Sequence, residues 1–356
     1  MNFEKLLEND ITNFNAKFKK KYFLNHIKYL TKLHFEKCKE YKSLLSYKGI
    51  KIPAIKSLSD IPFLPARIFK DYLLISIKKK DIFKIMNSSG TSGNDLSQIV
   101  LNKKTSLNQI KALSKITRSI IGSSRLPTII IDTRSTITNT NKFSARAAGI
   151  LGFNNFSKDT IFALDENMEL DINKVLNFIE KYNNQKILLF GFTFLIYKNF
   201  LQKLVKLNKV LDLPKAIMIH GGGWKKLSDL NISNKEFKSK IKKQSGIKHV
   251  FNYYGMVEQT GSIFFECNKG NFHTSLINDI IIRDKHDHSI SKIGETGIVQ
   301  VLSLIPESYP GHSILTEDEG IILGNDNCVC GKKGKYFKII GRVKNSEIRG
   351  CSDVYK

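Results

Sequence analysis

Ile85-Met86-Asn87-Ser88-Ser89-Gly90-Thr91-Ser92-Gly93 is the stretch around which the rest of the chain organises itself. An apolar segment, Asp81 to Met86, runs into two hydroxyls and then glycine, threonine, serine and glycine, and a Leu/Ile-spaced helical pattern follows from about Thr105 to Ile121. A strand delivering such a loop, with a helix downstream, suits phosphate. Glycines let backbone N–H groups converge on an anion, and small hydroxyls add donors without bulk. The Walker form is absent, because no lysine directly follows Gly93. Composition alone also allows a flexible surface turn, so the segments downstream decide.

Those segments alternate. Strand patterns fall at Pro127 to Asp132, Ile161 to Leu164, Lys186 to Phe192, Ala216 to His220 and His249 to Tyr254. Helical patterns lie between them at Ser144 to Leu151, Ile172 to Tyr182, Phe194 to Leu207 and Asn234 to Ser245. Such a rhythm predicts an α/β fold with a largely parallel sheet. After Gly261 the pattern turns to shorter β segments, Ile263 to Glu266, Asp279 to Arg283, Gly297 to Leu302, Gly320 to Leu323 and Tyr336 to Ile340, which predicts a β-rich subdomain. Ahead of all this, Phe3, Leu6, Leu7, Ile11, Phe14 and Phe18 recur at helical spacing, as do Tyr29, Leu30, Leu33 and Phe35. The expected organisation is a helical cap over 1–60, a catalytic domain over 61–340 with its β-rich part at 261–340, and a hinge and arm over 341–356.

A chain of 356 residues, 41% apolar, is long enough for one large or two moderate domains. The formal charge of +25 invites a nucleic-acid reading, yet only eight of the 57 basic residues are arginine and the lysines are scattered. Readers of bases and phosphates lean on arginine, so no specific nucleic-acid partner is expected, and a weak anionic surface is the minor alternative. The amino terminus is acidic and charge-broken, unlike a signal peptide, and no apolar run reaches membrane-span length. Five unevenly placed cysteines do not make a disulfide framework. A reduced, cytoplasmic protein is the expectation.

Four further stretches stand in order behind the first. His220-Gly221-Gly222-Gly223-Trp224 follows a strand, and its glycines would let a flat ligand approach the backbone; a tight strand-to-helix turn is the alternative. Asn252-Tyr253-Tyr254-Gly255-Met256-Val257-Glu258-Gln259-Thr260 also ends a strand, where ligands gather: an aromatic can stack on a base and a glutamate can hold Mg²⁺ beside phosphates. Thr316-Glu317-Asp318-Glu319-Gly320 reads as a turn whose carboxylate suits two ribose hydroxyls, or as a plain acidic turn. In Gly341-Arg342-Val343-Lys344, Arg342 could reach ribose or phosphate.

In this order and at roughly these intervals, the series resembles the signature of adenylate-forming acyl ligases. IPFLPARIFK, HGGGWKK, FNYYGMVEQTGSIFFEC and GKYFKIIGRVKNSEIRGCSD resemble the acyl-protein synthetase (LuxE-type) family more closely, from about Ile61 to the last residue. Phenylacetate–CoA ligases are a more distant likeness. The resemblance implies that Ser88, Ser89, Gly90, Thr91, Ser92 and Gly93 bind the ATP phosphates, that Tyr254 and Gly255 border the adenine opposite Gly221, Gly222 and Gly223, and that Glu258 coordinates magnesium. It further implies that Asp318 holds the ribose and that Arg342 sits at a hinge. Two positions depart from the pattern: Asn94 and Asp95 stand where many ligases carry a lysine, and Glu317 replaces the usual glycine before the ribose aspartate. The chain stops fifteen residues after Gly341, so the large carboxy-terminal lid of acyl–CoA ligases is expected to be missing or vestigial.

In the short, acyl-protein synthetase type a cysteine near the end accepts the acyl group. Cys351, beside Arg349, is the candidate, a thiol that such a neighbour would activate, with an incidental terminal cysteine as the alternative. Cys267, His273, Cys328 and Cys330 offer three thiolates and an imidazole, the donor set of tetrahedral structural zinc, unless these are unrelated reduced cysteines. Phenylacetate–CoA ligase-like enzymes resemble this arrangement. The expectation is therefore an enzyme that uses ATP and magnesium to activate a carboxylic acid, with a fatty acid as the favoured class. It then passes the acyl group to a protein cysteine and on to a partner such as an acyl-accepting reductase or carrier protein. A ligase acylating CoA or a carrier directly, and a non-catalytic nucleotide- or polyanion-binding protein, are the alternatives.

Overall fold

The computed structural model describes residues 3–88, 96–138, 145–223 and 232–343. In chain order its strands are β1 (Leu64–Pro65), β2 (Lys84–Asn87), β3 (Gln98–Leu101), β4 (Leu126–Ile131), β5 (Ser157–Phe162), β6 (Leu188–Phe192), β7 (Ile217–Gly221), β8 (His249–Tyr254), β9 (Phe264–Phe265), β10 (Phe272–His273), β11 (Asn278–Arg283), β12 (Thr296–Ser303), β13 (Ser313–Asn325) and β14 (Lys335–Arg342). The chain divides into two compact units, one drawing its described residues from 3–88, 96–119 and 255–343, the other from 120–138, 145–223 and 232–254.

The second unit is built on parallel strands in the order β5-β4-β6-β7-β8. β4, β6 and β7 are buried along their whole length, as strands covered on both faces must be, and they read as unbroken apolar runs. Ile129, Ile131, Leu189 and Met218 pack with Val175, Phe200, Phe237 and Ile241 in one core cluster. Local chemistry fixes the helices. Asp171 accepts from Lys174 N–H at 3.0 Å to start Ile172–Lys181. Ser233 accepts from Glu236 N–H at 3.1 Å to start Asn234–Ser245, and Gly246, at φ 71°, ends that helix in the left-handed region that glycine tolerates. The helix expected over Phe194 to Leu207 opens with one turn at Thr193–Leu195, widens to a π-helical segment over Ile196–Leu201 and closes at Gln202–Lys206.

The first unit carries an antiparallel sheet in the order β10-β14-β13-β12-β11, with β1 pairing parallel to β13. Its helices Ala16–Lys37 and Lys39–Tyr47 begin after a loop that holds Ile11 and Phe14, so the apolar spacing read as helical includes loop residues. Inside the unit, Lys19 is buried with its ammonium 3.3 Å from Asp279, and Asp279 also holds Lys335 at 2.9 Å. Asp279 stays ionised: although burial alone would raise its carboxyl, the two lysines hold it down to about 2.

The helix expected from about Thr105 to Ile121 runs over Lys103–Ile121; ahead of it lies β3, which the sequence reading did not name and which pairs antiparallel with β2. One sequence expectation is corrected here. Thr316-Glu317-Asp318-Glu319-Gly320 is not a turn but the middle of the thirteen-residue β13. Acidic residues disfavour strands intrinsically, yet here Asp318 and Glu319 are paired with β12 or β14 across an irregular register and Glu317 O accepts from Val343 N–H, so tertiary pairing overrides propensity. Among the described residues no helix is long and apolar enough to cross a membrane.

Candidate active site

In the first unit, a 3₁₀ turn at Val257–Gln259 follows β8 and carries Glu258 into the interior, 7% exposed. The turn is fixed from several sides. The buried Tyr309 hydroxyl donates to Glu258 O at 2.7 Å, and Gln259 Nε2 donates to Gly311 O at 2.8 Å and to Val301 O at 3.2 Å. Two residues later Gly261 sits at φ +84°, where a Cβ would overlap the Gln109 backbone. Burial pushes the Glu258 carboxyl above the usual carboxylate range; the Ser97 hydroxyl and the Lys70 ammonium oppose this, and the Glu317 carboxylate adds to it. A carboxylate this hungry for positive charge suits a cation.

Ser97 links that carboxylate to the loop. Ser88 N–H donates to Ser97 O, and Ser97 N–H donates to Ser88 Oγ, both at 2.9 Å, closing the β2–β3 hairpin at the base of the Ser/Gly segment. Ser88 is thus engaged with Ser97 at the end of the hairpin. Ser89, Gly90, Thr91, Ser92 and Gly93 lie outside the described residues.

On this unit's sheet, Asp318 on β13 stands opposite Arg342 on β14. The Arg342 guanidinium lies 3.2 Å from Glu317 Oε2 and 3.6 Å from Asp318 Oδ1. Val343 N–H donates to Glu317 O at 3.0 Å and Asp318 N–H to Thr316 Oγ1 at 3.1 Å, so both carboxylates have fixed backbones.

In the second unit, Gly221 ends β7, and a Cβ there would overlap the Tyr253 ring. That missing side chain is what lets Tyr253 lie against the strand, 5.5 Å from the ring of Phe153 and stacked on Phe190 at 6.4 Å. Gly222 and Gly223 have φ of 86° and 66°, which need glycine. His220 is fully buried and its Nδ1 bonds Thr193 Oγ1 at 2.9 Å; burial lowers it to about 3, so it is a neutral core histidine. Tyr254 closes β8 in this unit, while Gly255, Glu258, Asp318 and Arg342 belong to the first.

The first unit also gathers Cys267, His273, Cys328 and Cys330, whose ligand atoms all lie within 4.8 Å of one another. Cys330 Sγ is 3.3 Å from His273 Nε2, and the Asn271 amide lies 3.6 Å from Cys328 Sγ. Burial, then the neighbouring thiols Cys328 and Cys267, push Cys330 up to about 12. Three thiols so crowded cannot all ionise without a cation among them, and three sulfurs with one imidazole are the donor set of structural zinc. The set fits that ion. Cys351 lies outside the described residues.

Comparison with known proteins places the chain. The family model of the acyl-protein synthetase LuxE matches residues 6–356. The chain belongs to the LuxE acyl-protein synthetase family. It is 23% identical over 338 residues to the long-chain-fatty-acid–luciferin-component ligase of Vibrio harveyi, covering 90% of this chain and 83% of that protein. Among solved structures it resembles 2-hydroxyisobutyryl-CoA ligase in an open conformation with 2-HIB-AMP and CoA, at TM-score 0.72 and 13% identity over 94% of this chain and 77% of the other. The same ligase in its thioesterification state gives 0.71 at 14% identity, over 95% and 72%. The fold is therefore that of adenylate-forming ligases, and this LuxE-type synthetase is an AMP-forming enzyme that activates a carboxylic acid as its acyl adenylate. Sequence reading of the LuxE motifs gave no role to Ser97, Tyr309 or Tyr253. Ser97 and Tyr309 stand outside the quoted motifs, and Tyr253 lies inside one, where only the glycine at 221 signalled its part.

Proposed function

We propose that this synthetase activates a long-chain fatty acid with ATP and magnesium and then carries the acyl group on Cys351 to a partner, an acyl-accepting reductase or carrier protein. A carboxylate oxygen of the acid attacks the α-phosphorus of ATP, forming the acyl–phosphate bond as the bond to pyrophosphate breaks. The Cys351 thiolate then attacks the acyl carbonyl, and AMP leaves with the bonding electron pair. Ser88, Ser89, Gly90, Thr91, Ser92 and Gly93 bind the phosphates, the hydroxyls and backbone N–H groups countering charge as it moves to the leaving oxygens. Tyr254, Gly255, Gly221, Gly222 and Gly223 border the adenine, Asp318 accepts from the ribose hydroxyls, and Arg342 contributes its charge near the ribose or phosphates. Magnesium supplies charge neutralisation at the phosphates, and Glu258 is its ligand. Zinc held by Cys267, His273, Cys328 and Cys330 is structural.

The observation that carries this reading is Glu258: a buried carboxylate held above its ordinary range, braced by Ser97 at the base of the Ser/Gly hairpin, in a chain matched to the family over residues 6–356. The name of the Vibrio harveyi relative supports a fatty substrate. The test is ATP–pyrophosphate exchange across carboxylic acids of increasing chain length, with intact-protein mass spectrometry on the same samples. Exchange strongest with long chains, with an acyl adduct on Cys351 that is absent in Cys351→Ser, is expected. Exchange without an adduct moves the acceptor to CoA or a carrier; no exchange with any acid, despite ATP binding, overturns the reading.

A further inference from the structure

Residues 304–312 join β12 to β13 without helix or strand, and all of them but Glu307 are buried. Connections ordinarily run over the surface, because a buried loop must find partners for its own backbone. This one finds them at three places in the first unit. On the helix Ala16–Lys37, His34 Nε2 lies 3.1 Å from Pro306 O, which can only accept, so that nitrogen carries the proton and Nδ1 accepts from the Ser76 hydroxyl at 2.8 Å. Ser76 N–H donates in turn to Ser308 O at 2.9 Å. The Ser308 hydroxyl donates to Val100 O at 2.8 Å, on the β3 strand that follows the Ser/Gly segment. The third place is the Val257–Gln259 turn, with which the loop exchanges two bonds in opposite senses. Tyr309 donates its hydroxyl to Glu258 O at 2.7 Å, and Gln259 Nε2 donates to Gly311 O at 2.8 Å. A Cβ at Gly311 would overlap both the Tyr309 ring and Glu258 O, so the fit has no slack.

Both bonds to the turn hold the backbone of Glu258 or the side chain beside it, and neither occupies the Glu258 carboxylate. They fix where that side chain leaves the chain. We propose that residues 304–312 are a positioning strut that ties the amino-terminal helices to Glu258, with Tyr309 as the residue that aims its carboxylate at the magnesium of Mg-ATP. This rests on the magnesium role proposed above for Glu258 and adds the residues that aim it. His34 and Tyr309 are fully buried, so each acts through the turn and not by contact with metal or nucleotide. Groups behind a metal ligand set its orientation, and losing one weakens the hold on the metal while the ligand itself stays in place.

The experiment measures the dissociation constant of ATP by calorimetry on the full chain, once with Mg²⁺ and once with EDTA, without acid substrate. The ratio of the two isolates what the metal adds. Tyr309→Phe keeps the buried ring and loses one donor; it is expected to shrink the ratio about three- to tenfold while binding in EDTA stays little changed. His34→Phe is expected to shrink it in the same direction, about two- to threefold, and His34→Gln, which keeps a donor for Pro306 O, to restore most of it. In a Glu258→Gln background, Tyr309→Phe is expected to change nothing further. A wild-type ratio in Tyr309→Phe or in folded His34→Phe overturns the inference. So does an equal loss of ATP binding with and without Mg²⁺, which marks a merely structural residue. Glu258→Gln separates the two levels: if it collapses the ratio while Tyr309→Phe does not, the positioning role fails alone, and if it leaves the ratio as in the wild type, the magnesium role falls and this inference with it.

Discussion

Glu258 is a carboxylate whose surroundings favour its proton, and the consequence is kinetic. In the free enzyme its acid limb, read from kcat/KM for ATP in pyrophosphate exchange, is expected above the ordinary carboxylate range, because burial disfavours the charged form. Glu258→Gln is expected to lower exchange by about 10²-fold or more and to remove that limb from what activity survives. The buried histidines act on stability instead. Burial lowers His26 to about 4 and His34 and His220 to about 3, and holds His312 well below its usual value. Near pH 6.5 the unfolded chain takes up protons that the native state refuses. Stability is therefore whole above that pH and falls as pH drops from about 6.5 towards 3, each group contributing up to ~1.4 kcal/mol per pH unit. Urea midpoints between pH 8 and 4.5 should decline along that slope, and His34→Gln should flatten it. The roles of these residues differed in legibility. Glu258 stood in a recognisable motif, whereas the stacking of His34 on His312, ring centres 4.9 Å apart, joins positions far apart in the chain that no spacing rule connects.

At the scale of elements, β4, β6 and β7 could be read directly because parallel strands covered on both faces read as apolar runs, and Asn234–Ser245 because Ser233 and Gly246 punctuate it. β3 was missed because Ile99-Val100-Leu101 is too short to show a period, and β13 because its acidic middle looks like a turn until β12 and β14 pair with it. The Cys/His cluster joins β9, β10 and the segment before β14, so its metal content is a property of the elements. Metal analysis of protein purified under reducing conditions is expected to find one zinc per chain. Cys328→Ser should lose it together with thermal stability, and metal-free wild-type protein would count against the site. In the second unit Asp132, at the end of β4, takes the Arg146 guanidinium through Nε at 2.6 Å and through Nη2, both side chains 1% exposed. Arg146→Ala leaves that buried carboxylate with the Thr133 N–H and the Thr136 hydroxyl but no opposite charge, and is expected to cost about 3–5 kcal/mol in chemical denaturation.

For the molecule as a whole, the amino-terminal helices share a unit with residues 255–343, and Lys19, Asp279 and Lys335 bind the two stretches through a charge cluster buried among Phe14 and Phe23. Removing residues 1–50 leaves Asp279 without Lys19 and uncovers the core of that unit. The truncated protein is expected to be unfolded in its first unit by circular dichroism and proteolysis rather than to survive as a trimmed enzyme. Sequence patterning separated the α/β rhythm from the β-rich remainder, but it could not show that the first unit returns to its own beginning after more than a hundred residues, since pattern carries no information about which distant segments meet. That return has a consequence for synthesis. A ribosome delivers the chain from its amino end, so residues 120–254 emerge complete while 3–119 still await the strands that begin after residue 255. Residues 3–119 are thus made before the second unit yet reach their final contacts after it, and through that interval their apolar helices need a chaperone or one another for cover.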